Sequence, residues 1–68
     1  MNQPDPLLLP KEASTYTRIS ESNLAQLRFR GLGPKFLKPT PRTVLYRQSE
    51  LDAWLERSER TSTAPSVA

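Results

Sequence analysis

Residues 18–30, RISESNLAQLRFR, followed by Gly31-Leu32-Gly33-Pro34, constrain this chain most, because they hold a turn, a helix start and a helix stop in one short stretch. Ser20 is a good N-cap, since its hydroxyl accepts from the free N–H groups of a first helical turn, and Ile19 can close over Leu24 as a hydrophobic staple. The helix is therefore expected to begin at about Glu21. Leu24, Leu27 and Gly31 then fall at the i, i+3, i+7 spacing of a buried stripe, while Ser22, Asn23, Gln26 and Arg30 point elsewhere. Gly31 can take the left-handed conformation that ends a helix, and Pro34 forbids continuation. The outward set suits base edges in a DNA major groove: Asn and Gln pair bidentately with adenine, and Arg pairs with guanine. An ordinary solvated helix face has the same polar character.

Length and composition narrow the classes open to such a helix. The chain has 68 residues, no His and no Cys. It forms one domain at most and buries little core, which leaves no room for a deep enzyme cleft, so catalysis is not expected. The usual general base, thiol nucleophile, disulfide staple and common zinc or iron–sulfur ligands are missing, so neither a metal nor another cofactor is expected. No apolar run approaches the roughly 20 residues of a membrane span, and the three leucines at 7–9 are too short for a signal-peptide core. A cytoplasmic protein without a membrane partner is the expectation.

The net charge of +3 conceals an asymmetry. Between positions 11 and 47 stand eight basic residues (Lys11, Arg18, Arg28, Arg30, Lys35, Lys38, Arg42, Arg47) against Glu12 and Glu21. From position 48 onward Arg57 and Arg60 are outnumbered by Glu50, Asp52, Glu56 and Glu59. A basic middle favours a polyanion through release of condensed counterions, whatever the base sequence. An acidic protein partner can exploit the same charge.

Read along the chain, residues 1–6 are polar with two prolines and look disordered. Residues 7–9 form either a short strand or an apolar lead-in. Pro10 suits the first position of a helix running to about Thr17, with Ala13 and Tyr16 facing the core. Residues 35–38 and 43–47 are the most strand-like runs, joined by a turn at Pro39-Thr40-Pro41-Arg42, with Lys38 and Arg42 near its tip. Ser49 is expected to cap a last helix in a capping-box variant with Asp52, and Leu51, Trp54 and Leu55 make an apolar stripe that closes the core. Tyr46 is expected in the core as well. From position 61 to 68 the composition reads as a flexible tail.

This order of elements, with Leu8-Leu9-Pro10-Lys11-Glu12-Ala13, Ile19-Ser20 before Asn23-Leu24, Arg30-Gly31 with Gly33-Pro34, and the block YRQSELDAWL at 46–55, resembles the small excisionase and MerR-like winged helix–turn–helix family. The likeness covers about residues 8–56. It implies a small α+β domain over residues 7–60, with a helix–turn–helix, a two-stranded hairpin wing and a C-terminal helix. It further implies a second helix lying in the major groove and a wing reaching a minor groove or the phosphate backbone.

Members typically act as recombination directionality factors. They bind repeated sites beside an attachment site, bend the double-stranded DNA and direct a phage-type integrase toward excision. Close relatives regulate transcription, and a protein-interaction adaptor using its basic face is the rival from another class. Carried onto this chain, the groove-facing set is Ser22, Asn23, Gln26 and Arg30. Lys38 and Arg42 lie on the wing, and Arg28 and Arg47 are phosphate contacts that position without reading sequence. Self-association is expected to be cooperative on adjacent DNA sites, since no leucine heptad offers a coiled coil. Residues 61–68 are a candidate contact for the integrase.

Three positions depart from the family pattern. Arg18 stands where a turn glycine is usual, so a left-handed conformation there costs about 1 kcal/mol. Leu9 stands in place of a capping Thr. Phe29 replaces a charged residue, and packing on Phe36 beneath the wing is expected, because aromatic burial contributes more than most contacts in a small core. Exposure toward a partner is the alternative.

Overall fold

Arg18 and Gly31, the two described residues with positive φ, set the corners of the N-terminal half. The computed structural model describes residues 5–61. Helix α1 spans Pro10–Thr17 and α2 spans Glu21–Arg30. Arg18 follows α1 at φ 66°, ψ 19°, and its N–H donates to the Ser14 carbonyl at 2.8 Å. The turn thus keeps a glycine-like geometry with an arginine in it, and carries the strain that implies. Ser20 caps α2 as its sequence position foretells, its Oγ accepting from the Asn23 N–H at 3.1 Å. Gly31 closes α2 at φ 70°: its N–H donates to Arg28 and the Leu32 N–H reaches back to the Leu27 carbonyl, a Schellman arrangement. Gly33 is required for a different reason, since a Cβ there would stand 2.8 Å from the Leu27 Cβ.

The remaining elements are β1 (Leu7–Leu8), β2 (Leu37–Thr40), β3 (Thr43–Arg47) and α3 (Gln48–Arg57). The strands form a three-stranded antiparallel sheet in the order β1-β3-β2. With the three helices they make a small α+β fold. Leu7 pairs with Arg47 and Leu8 with Tyr46, so the leucine run is a strand, and the sheet has one strand more than the hairpin expected from sequence. Across the hairpin Leu37 pairs with Leu45 and Thr40 with Thr43, and the register slips between them. Pro39 sits in that interval with no N–H to give the ladder. The turn narrows to Pro41 and Arg42, and the first strand lies two residues later than its expected start.

The N-terminus of α3 corrects the sequence reading most. Gln48 rather than a residue after Ser49 begins the helix, and Ser49 lies inside its first turn. The cap is supplied from far away in sequence. Asp5 accepts from the Ser49 N–H at 2.9 Å and from the Ser49 hydroxyl at 2.8 Å, while the Pro6 carbonyl accepts from Gln48 at 3.0 Å. Residues 5 and 6, expected to be disordered, therefore hold a helix end; 1–4 and 62–68 lie outside the described residues. The bond from the Ser49 backbone, then that from its side chain, holds the Asp5 carboxyl below its ordinary value. A depressed carboxyl contributes stability above its unfolded pKa and loses it as pH falls through the folded one. We expect Asp5→Ala to melt below the wild type at pH 7, with the gap narrowing below about pH 4 as Asp5 protonates. Circular dichroism melts at pH 7 and pH 3 check this, and a gap that does not narrow would overturn it.

Ala13, Leu24, Tyr46 and Leu51 form the core, with Leu8, Ile19, Leu27 and Val44 packed against it. On α1 the inward partner of Ala13 is Thr17, not Tyr16. The Thr17 hydroxyl donates to the Ala13 carbonyl at 2.8 Å and can therefore be buried, whereas Tyr16 is half-exposed and donates to Asp52 on α3. Asp52 is thus a tie between helices rather than a capping partner of Ser49, and the bond holds the Tyr16 hydroxyl above its ordinary pKa. Trp54 and Leu55 are only partly buried, and the Trp54 indole donates to the Leu32 carbonyl at 3.3 Å. Phe29 overturns its expectation outright: it is 91% exposed. Tyr46 takes the place beside Phe36 instead, with ring centroids 6.3 Å apart.

Candidate nucleic-acid interface

Helix α2 is fixed from behind by Leu24, fully buried, and by the partly buried Leu27. At about 100° per residue, the face turned away from Leu24 is centred on Ser22 and Gln26, with Asn23 and Arg30 along one border and Phe29 along the other. All five are exposed, which places Ser22, Asn23, Gln26 and Arg30 on a surface able to meet a ligand without disturbing the core. Ser22 lies close to the cap, its Oγ 3.3 Å from that of Ser20.

The hairpin supplies the flanking cations. Lys38 on β2 and Arg42 in the turn are exposed, and Arg47 is exposed at the end of β3. The turn that carries Arg42 is pinned: Thr40 Oγ1 donates to Thr43 Oγ1 at 2.7 Å and accepts from the Arg42 N–H at 3.2 Å. Two shallow concavities lie between the C-terminal half of α2 and the hairpin. One brings together Arg28, Lys35, Phe36 and Arg47; the other is lined by Ala25, Arg28, Phe29, Phe36, Lys38 and Val44. Arg42 lines neither and stands apart at the tip.

Arg28 differs from the other cations. It is half-buried, its Nη1 donates to the Tyr46 hydroxyl at 2.8 Å, and its guanidinium stands 6.0 Å from the centre of the Phe36 ring. The side chain therefore braces α2 against β3, satisfying the one polar atom of a buried tyrosine. It also lines both concavities, so the same group that holds the helix to the sheet presents positive charge between Arg47 and Lys38.

The structure adds two residues to the set read from sequence. Lys35 joins Arg28 and Arg47 because the chain leaves α2 through Gly31, Gly33 and the buried Pro34 and turns back beside the helix. Its position directly after that punctuation was the available signal. Phe29 joins the outer face because the core space near Phe36 is already filled by Tyr46 and Arg28. The arrangement is a convex polar helix face flanked by a cationic hairpin, which can contact base edges and phosphates together.

Among the described residues no helix is long and apolar enough to cross a membrane. The chain matches no protein-family model, and it shows no significant similarity to a curated protein.

Proposed function

We propose that this protein is a small winged helix–turn–helix DNA-binding module, with α2 as the recognition helix and the β2–β3 hairpin as the wing. The observation that carries the reading is the exposed row Ser22, Asn23, Gln26 and Arg30 on a helix anchored by Leu24, beside a hairpin bearing Lys38, Arg42 and Arg47. Polar side chains at that spacing read base edges, and the flanking cations bind phosphates and fix the register. One short helix reads only a few base pairs, so useful specificity requires several copies on adjacent sites. The excisionase resemblance gives that requirement a purpose: a cooperative array that bends attachment-site DNA and directs an integrase toward excision, with residues 61–68 contacting the integrase.

A gel-shift titration on the attachment-site DNA of the encoding element, with scrambled competitor and with or without the neighbouring integrase, tests this. Stepwise cooperative shifts that deepen with integrase are expected. Specific shifts confined to a promoter would make the protein a regulator, and no shift at low salt would leave an adaptor for an acidic protein. In the same assay Gln26→Ala and Arg30→Ala are expected to weaken specific binding by about 1–3 kcal/mol each and random duplex by less, whereas Arg42→Ala weakens both. Equal losses on both duplexes for Gln26→Ala would remove it from the base-reading set.

A further inference from the structure

We propose that Phe29 is a specificity-determining residue that reads the C5-methyl group of thymine in the major groove, an inference that rests on the DNA-binding reading of α2. Phe29 is 91% exposed, an unusual state for a phenylalanine in a fold whose buried core comprises few side chains. It stands on the border of the outward face of α2 that is turned toward the hairpin concavity. At about 100° per residue it lies within roughly 20° of Ser22 and 60° of Gln26, and about 40° from the direction opposite Leu24. A duplex that runs along α2 from Ser22 past Gln26 on the side facing the hairpin meets Phe29.

A benzyl side chain has no donor or acceptor, so the only major-groove feature it can match is the thymine methyl. Its surroundings favour a nucleic acid over another apolar surface. Along the helix it is neighboured by Gln26 and Arg30, and across the adjoining concavity by Arg28 and Lys38. A polar and cationic rim of that kind suits a contact in which bases lie beside phosphates. Ala25, partly buried on the same side of α2, leaves the approach to the ring open.

The test uses the full chain and Phe29→Ala on a duplex site selected by the wild type from a random library. Each thymine of that site is replaced singly by deoxyuridine, which lacks only the methyl, and binding is read by fluorescence anisotropy. At one or two positions the wild type is expected to lose about fourfold in affinity, the ratio that corresponds to one buried methyl-sized group. Phe29→Ala should bind thymine and uracil versions of those positions equally and keep the wild-type melting curve. A wild type indifferent to every replacement, or a variant that still discriminates, would overturn the role of Phe29 while leaving DNA binding intact. If the wild type selects no site and binds no duplex, the DNA-binding reading falls and this inference falls with it. A change of oligomeric state in Phe29→Ala, seen by light scattering without DNA, would assign the residue to contact between copies and overturn the inference too.

Discussion

Tyr46→Ala should leave the chain without a cooperative thermal transition at 25 °C and above. Tyr46 is fully buried on the central strand, faces Phe36 at 6.3 Å and belongs to a core whose other fully buried members are Ala13, Leu24 and Leu51. Truncating a buried aromatic to alanine costs about 3–5 kcal/mol. A domain of this size rarely has more than about 3–5 kcal/mol from its core, so the loss is comparable to the whole stability. The damage also spreads, because Arg28 loses the hydroxyl that accepts its bond and α2 loses its brace to β3. Tyr46→Phe separates the two contributions. It keeps the ring and removes only the acceptor of a charged donor, so it should fold and melt lower by about 1.5–3 kcal/mol. Circular dichroism at 222 nm checks both; a Tyr46→Ala protein with a sigmoidal melt near that of the wild type would refute the central place given to this side chain.

Much of the fold was legible because local chemistry decided it. Ser20 caps, Gly31 stops, Pro10 starts, and each works through atoms within four residues of itself. The strand Thr43–Arg47 declared itself through its β-branched and aromatic run. What escaped was decided across the chain. Ser49 looks like a cap in isolation, yet its own hydroxyl is a donor to Asp5, a residue 44 positions earlier that sequence alone consigned to a disordered tail. Asp52 looked like the other half of that cap and instead ties α3 to Tyr16.

The site shows the same division. Helical spacing was enough to turn Ser22, Asn23, Gln26 and Arg30 outward, because Leu24 and Leu27 leave no other orientation. The same spacing sets Phe29 within about 20° of Ser22 and so outward; the expectation of aromatic burial ran against that periodicity, and the place beside Phe36 is held by Tyr46. Arg28 was read as a phosphate contact, and its bond to a buried hydroxyl is not visible from spacing.

The second large effect concerns charge and is read in salt rather than in heat. Replacing Lys35, Arg42 and Arg47 together by alanine should flatten the dependence of log K on log salt for random duplex by about 2.7, since each phosphate contact releases close to one counterion and contributes about 0.9 to that slope. Extrapolated from a common value at 1 M salt, the same slope difference lowers affinity at 0.1 M by on the order of several hundredfold. All three side chains are exposed, so the variant should keep the wild-type melt, which distinguishes it from Arg28→Ala, where a lost brace lowers stability and binding together. The set also discriminates between parts of the surface. Lys35 and Arg47 share one concavity with Arg28, whereas Arg42 stands alone at the hairpin tip. If the duplex lies along α2 and reaches both, the three single variants should each lose about 0.9 in slope and add up to the triple. A slope unchanged for Arg42→Ala but reduced for the other two would keep the DNA against α2 and detach the hairpin tip from it, ending the assignment of that hairpin as a wing.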